Sequence, residues 1–201
     1  MQNRKEEILL TALHLFARDG YEAVSVSQIS GALDMTKGAL YRYYKSKRDI
    51  FDSIVQRMEQ GDSSQADNYD MPEGSKESTP EKYQTVSLHD FIKYSKSMFE
   101  YWTEDDFASS FRKMLTIEQF RSEEMQALYQ QYLVAGPALY VKDLFESMKI
   151  VDAANKANQL YAIMFFYYSV YDGSNDKERV KTEFETVIDN FSKDLQVLME
   201  L

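Results

Sequence analysis

Ser25–Lys47 reads SVSQISGALDMTKGALYRYYKSK and carries the strongest structural signal in the chain. Ser25 followed by Gln28 is the S-x-x-Q start of a helix, in which hydroxyl and amide satisfy two orphan backbone donors. That helix buries Val26, Ile29, Ala32 and Leu33 on one face. Asp34-Met35-Thr36 interrupts it, and Thr36 caps a third helix running from Lys37 to Tyr44. Ser46 with Asp49 caps a fourth, from Lys47 towards Gln60. Two short helices joined by a tight turn make a helix-turn-helix, whose second helix fits the DNA major groove. Its first turn presents Thr36, Lys37 and Gly38, and its exposed face Tyr41, Arg42 and Tyr43. Gly38 inside a helix costs about 1 kcal/mol against Ala, a cost that close backbone approach to DNA offsets. Lys45, Lys47 and Arg48 follow at the start of helix four, where backbone N–H groups favour a phosphate. Leu40 and Tyr44 read as packing residues.

Upstream, Asn3–Arg18 is amphipathic, with Ile8, Leu9, Ala12, Leu13 and Phe16 on one face and Gly20 as a left-handed stop. Downstream, residues 61–85 (GDSSQADNYDMPEGSKESTPEKYQT) hold two of the three prolines and lack helical apolar periodicity. They read mostly as a linker, with helix four able to run into its start. Helical spacing then returns over Ser87–Thr103, Asp106–Phe120 and Ser122–Met148, the last broken at Gly136-Pro137. Two further helices, Asp152–Tyr171 and Asp176–Glu200, close an all-α chain.

The 201 residues carry a formal net charge of -10, which taken whole argues against a phosphate partner. The average hides a division. Residues 1–60 hold nine basic and eight acidic side chains, and Lys37–Arg48 holds five basic residues and no acid. The remaining residues carry the negative charge, so one short segment is locally positive. The absence of Cys excludes disulfides, Cys-ligated metals and a Cys nucleophile. His14 and His89 stand too far apart in sequence to be read as a metal site, and no metal or cofactor is expected. There is no H-E-x-x-H, no phosphate loop and no nucleophile–base pairing, so no enzyme is expected. The polar start MQNRKEE has no signal-peptide character, and the longest uncharged run, Ala157–Tyr171, is short of a bilayer span. A cytoplasmic protein is the expectation.

Residues 6–55, and most tightly Val26–Phe51, resemble the DNA-binding domain of TetR/AcrR-family transcriptional regulators. The matching residues are LFARDGYEAVSV (Leu15–Val26), Ile29, Thr36-Lys37-Gly38-Ala39-Leu40-Tyr41, Tyr43, Tyr44, Lys47 and Ile50-Phe51. The resemblance implies base contacts from Lys37, Gly38, Tyr41 and Tyr43, and phosphate contacts from Ser25, the Ala39 backbone, Tyr43 and Lys47. Two departures stand out. Asp34 occupies a turn position where the family usually has Gly, and Ser30-Gly31 replace better helix formers.

The resemblance divides the chain into an N-terminal helix-turn-helix DNA-binding domain, residues 2–62, and a C-terminal helical effector-binding and dimerisation domain, residues 63–201. Leu160, Ile163, Met164, Tyr167 and Tyr168 of the penultimate helix form a broad apolar surface. Phe184, Val187, Ile188, Phe191, Leu195 and Leu198 recur at three- and four-residue steps on the last helix. Paired across a two-fold axis these stripes would make a four-helix dimer interface. Tyr94, Met98, Trp102, Phe111, Met114, Phe120 and Tyr132 are the candidate lining of an effector pocket, since aromatics and Met suit an adaptable apolar cavity. The expected function is that of a bacterial homodimeric repressor, released from a palindromic operator by a small-molecule effector. The rival is an interaction or activator module that reuses the helix-turn-helix as a scaffold.

Overall fold

The apolar periodicity of α1 (Gln2–Asp19) seats Ile8, Ala12, Leu13 and Phe16 in a core closed from solvent. In this computed structural model, residues 2–199 are described. The Leu198 side chain and the last two positions of the expected second domain fall outside that description. Among the described residues the regular elements are all α-helices, and the chain divides into two compact units.

The first unit comprises Met1–Asp62 and Asp106–Tyr129. It holds α1, α2 (Val26–Ala32), α3 (Lys37–Leu40) and most of α4 (Lys47–Asn68), with α7 (Asp106–Glu118) and the start of α8 (Glu123–Leu133). The compact unit therefore extends beyond a simple cut at residue 62. The reason is packing, because α7 lays Phe107, Ala108, Phe111, Met114 and Leu115 against α1. Gly20, at φ 88°, ends α1 where a Cβ would lie 2.8 Å from Glu118 Oε1. Only Gly meets both demands. The buried Glu118 carboxylate accepts a 3.0 Å hydrogen bond from the Tyr21 N–H.

The second unit comprises Ser63–Asp105 and Gln130–Leu201. It holds the end of α4, α5 (Pro80–Thr85), α6 (Leu88–Glu104), the end of α8, α9 (Ala135–Ser147), α10 (Ala153–Gly173) and α11 (Lys177–Met199). Its core is aromatic. Phe99 stacks on Phe184 at 3.9 Å between ring centres and on Tyr168 at 5.6 Å, and Phe91 meets Phe145 edge-on at 5.2 Å. Lys181 of α11 bridges to Glu104 and Glu100 of α6, and Lys96 pairs with Asp189.

The segment read as a linker is partly helical. Helix α4 continues to Asn68, and Pro80 opens α5 at a position whose missing N–H costs no bond. Buried apolar side chains hold this tract: Ala66, Met71, Pro72 and a fully buried Tyr83. The break expected at Gly136-Pro137 falls two residues earlier, at Val134. Pro137 then sits in the first turn of α9, where no intrahelical donor is required. A Cβ on Gly136 would lie 2.1 Å from the Gln131 carbonyl oxygen, so the α8–α9 corner admits only Gly.

The expected dimer stripe requires correction. Leu160, Met164, Tyr167, Tyr168, Phe184, Ile188, Phe191 and Leu195 are buried within the chain itself, because α10 and α11 turn these faces to each other and to α6. They are not available to a partner. Ile163 and Val187 are half-buried, and among the described residues the exposed large apolar side chains of these helices are Phe166, Val197 and Met199.

Candidate nucleic-acid interface

Local chemistry sets the reading head. Ser25 and Gln28 form the expected reciprocal cap on α2: the Gln28 N–H donates to Ser25 Oγ at 3.2 Å, and the Ser25 N–H donates to Gln28 Oε1 at 2.8 Å. After the α2 C-cap at Leu33, Asp34 takes the left-handed conformation with φ 51°. Asp is one of the few residues that tolerates this conformation, so the turn forms without the family's Gly. Thr36 Oγ1 accepts from the Ala39 N–H at 3.1 Å and starts α3. That helix is a single turn, Lys37–Leu40, followed by a turn over residues 41–43. Tyr41, Arg42 and Tyr43 therefore follow the helix, where the sequence had placed them on it.

Leu40 anchors α3 in the core, while Lys37, Gly38, Tyr41 and Arg42 are exposed and Ala39 and Tyr43 half-buried. Lys37 Nζ lies 5.8 Å from the Tyr41 ring centre. A Cβ built on Gly38 would meet nothing within 4 Å, as is also true of Gly31 and Gly173. The chain itself does not require Gly at this site.

The basic residues that follow divide by partner. Lys45 is exposed, and its N–H donates to Asp49 Oδ2 at 2.7 Å. Ser46 Oγ accepts from the Asp49 N–H at 3.0 Å and caps α4. Lys47 is turned inward, donating to the Tyr21 carbonyl at 2.8 Å and lying 4.3 Å from the Tyr21 ring centre. Arg48 donates to Asp52 at 2.7 Å and to both oxygens of Glu124 at 2.8 and 2.5 Å. These carboxylates raise the Arg48 pKa further, and the Arg48 hydrogen bonds lower that of Glu124. Burial pushes the Tyr44 hydroxyl up to about 12, as befits the packing residue the sequence indicated.

The residues expected to line an effector pocket do not form one set. Tyr94 and Met98 are half-buried and Trp102 and Tyr132 buried in the second unit. Phe111 and Met114 are sealed in the core of the first. Phe120 is 88% exposed, because α7 ends at Glu118 and leaves it in the following turn, where it can line no cavity. Sequence reading missed the tyrosines beside Tyr94. Tyr69 lies 5.8 Å from Tyr94, and Tyr83 meets Tyr140 at 5.9 Å between ring centres. Tyr83 donates to the Gly74 carbonyl at 2.8 Å, whereas the buried Tyr140 hydroxyl has no hydrogen-bond partner among the described residues. Burial, with Tyr94, Tyr83 and Glu73 nearby, raises the Tyr140 pKa and keeps it a donor. Two of these four tyrosines border the polar tract, and only its folding reveals their burial. Among the described residues no group of three or more His, Asp or Glu could hold a metal ion, and no helix is long and apolar enough to cross a membrane.

Residues 8–54 match the family described as bacterial regulatory proteins, tetR family. Over 59 residues the chain is 36% identical to the nucleoid occlusion factor SlmA of Escherichia coli, a match spanning 29% of this chain and 30% of that protein. The SmeT–triclosan complex is similar in structure, with TM-score 0.67 and 15% identity over 93% of this chain and 88% of that one. GusR of Salmonella enterica gives TM-score 0.58 and 18% identity over 98% and 95% of the two chains. At these identities the structural likeness is one of fold. The family's sequence thus lies in residues 8–54, and over nearly the whole chain the fold is that of these solved structures.

Proposed function

We propose that the chain is a sequence-specific DNA-binding repressor that acts as a homodimer and is released from a palindromic operator by a small-molecule effector. TetR-family members are DNA-binding transcriptional regulators. The observation that carries the reading is Gly38. It sits in α3 at a propensity cost of about 1 kcal/mol, in space that the chain leaves empty. A position held open at such a cost fits close approach by something outside the chain, and Lys37, Tyr41 and Arg42 surround it with the groups that suit DNA. A two-fold dimer sets two such heads about 34–36 Å apart, one turn of the duplex.

The tyrosines of the second unit favour an aromatic effector, and the SmeT neighbour is a complex with triclosan. By linkage, an effector that weakens operator binding is itself bound more weakly on the operator, by the same factor.

The test is selection of duplexes from a random pool, followed by binding at rising salt. A selected palindrome, bound with the steep salt slope of several phosphate contacts, supports the reading. Selection of nothing at low salt overturns it. The double variant Lys37→Ala, Tyr43→Ala separates the rival scaffold reading. Operator affinity falls at least about tenfold for a DNA reader, with oligomeric state intact, and the variant changes nothing for a scaffold.

A further inference from the structure

We infer that the first turn of α1 is a positioning element of the reading head, with Arg4 as its central residue; the inference rests on the DNA-reading role proposed above. Helix α3 has four residues, too few for its own hydrogen bonds to fix its direction. Its orientation is set by what holds its two ends. At the entrance, Arg4 Nη2 donates a 2.9 Å hydrogen bond to the Leu33 carbonyl, the C-cap of α2, and lies 3.9 Å from Met35 Sδ. These contacts bracket Asp34, the residue whose left-handed φ turns the chain from α2 into α3. At the exit, the Tyr44 hydroxyl donates to the Lys5 carbonyl at 3.3 Å, and Lys5 Nζ lies 5.6 Å from the same ring. The next residue, Glu6, accepts from Arg57 Nε of α4 at 2.9 Å. Three consecutive residues of α1 thus reach the residues before α3, the residue that ends the turn after it, and α4.

The Arg4 guanidinium is already occupied on both arms, by Leu33 and by Glu7 at 2.6 Å. A cation so placed acts on DNA through the turn it holds, without touching a phosphate. The carbonyl it satisfies is one of the orphan acceptors at a helix end, and a charged donor makes that bond among the stronger ones in the unit.

The experiment compares Arg4→Ala and Tyr44→Phe with the wild type on a duplex selected by the wild type and on a random-sequence duplex. Arg4→Ala is expected to lower operator affinity about tenfold, the loss of one charge-assisted bond. Affinity for the random duplex and the salt slope should both stay unchanged. The amides of Leu33, Asp34 and Met35 should exchange faster with solvent in the free protein. Tyr44→Phe, which removes one hydroxyl and keeps the ring, is expected to lower operator affinity severalfold with the same slope. An equal loss on both duplexes, with the slope reduced by about one, makes Arg4 a phosphate contact and overturns the inference. Unchanged operator affinity in both variants, or unchanged amide exchange in Arg4→Ala, overturns it equally. Wild-type selection of no duplex is a distinct result, and it removes the DNA-reading role together with this inference.

Discussion

Asp34 and Asp62 are acids in places where acids are costly, for different reasons. Asp34 is exposed in a left-handed turn at the mouth of the reading head, where its charge opposes any phosphate. Asp34→Gly removes both the conformational cost, about 1 kcal/mol, and the charge. Affinity for random-sequence DNA is expected to rise a few-fold, as measured by fluorescence anisotropy at low salt, with the melting temperature unchanged or higher. Asp62, in α4, has Oδ1 buried with no hydrogen-bond partner among the described residues. Burial, helped by Glu59 one turn earlier, raises its pKa from 3.8 to about 7. The folded state therefore holds the proton more tightly than the unfolded chain. Asp62's favourable contribution is complete below pH about 3.8 and is lost as pH rises through about 7. Asp62→Asn should match the wild type near pH 4 and exceed it above pH 7 by up to about 4 kcal/mol, in urea titrations at the two pH values. A gain that does not grow with pH contradicts the assignment.

At the scale of elements, the helix ends were legible and the helix partners were not. Ser25, Thr36 and Ser46 each accept from the backbone N–H three residues on, as their spacing predicts, and Ser87 does the same. Such caps are local, so a single sequence displays them. The Arg4–Leu33 bond joins residues 29 apart, and Tyr94 and the three tyrosines grouped with it come from separate segments. Nothing local encodes either. Residues 61–68 read as linker because Ala66 is the one apolar anchor there, yet it suffices to carry α4 onward. The α10 stripe was misassigned for the opposite reason. That helix is apolar nearly all round, so periodicity could not say which face meets its own core. The α8–α9 corner gives a sharp test. Gly136→Ala puts a methyl 2.1 Å from a backbone oxygen that no side-chain rotation relieves. It should cost several kcal/mol, or about 3 in the range typical of disruptive core changes, as read by chemical denaturation. Gly38→Ala, in open space, should be neutral or slightly stabilising.

For the whole molecule, the charge division is the property the sequence displayed most directly, and it survives in the structure with one refinement. Of the five basic residues in Lys37–Arg48, Lys47 and Arg48 are committed to partners inside the first unit, leaving Lys37, Arg42 and Lys45 exposed. Operator affinity should therefore depend on few charges per head, and a salt slope near that of three phosphates per protomer is expected. The proposed dimer has its own prediction. Phe166 is 62% exposed on α10 and far more available than the buried stripe beside it. Phe166→Glu should shift the protein to monomer in sedimentation velocity while leaving its helix content unchanged. An unchanged dimer places the interface on another face.

The empty space around Gly38 also has a genetic consequence. Under the proposed DNA-reading role, a chain carrying Gly38→Ala loses close approach to DNA and nothing that its own fold uses. In a cell that also makes the wild type, the proposed dimerisation puts such a chain into mixed dimers, each with one working head and one deaf one. Under the repressor reading, the mutant allele is then dominant: co-expression raises transcription from the operator although the normal protein is still present. Phe166→Glu, expected to keep the chain out of dimers, should be recessive. The two substitutions separate reading from pairing by dominance alone.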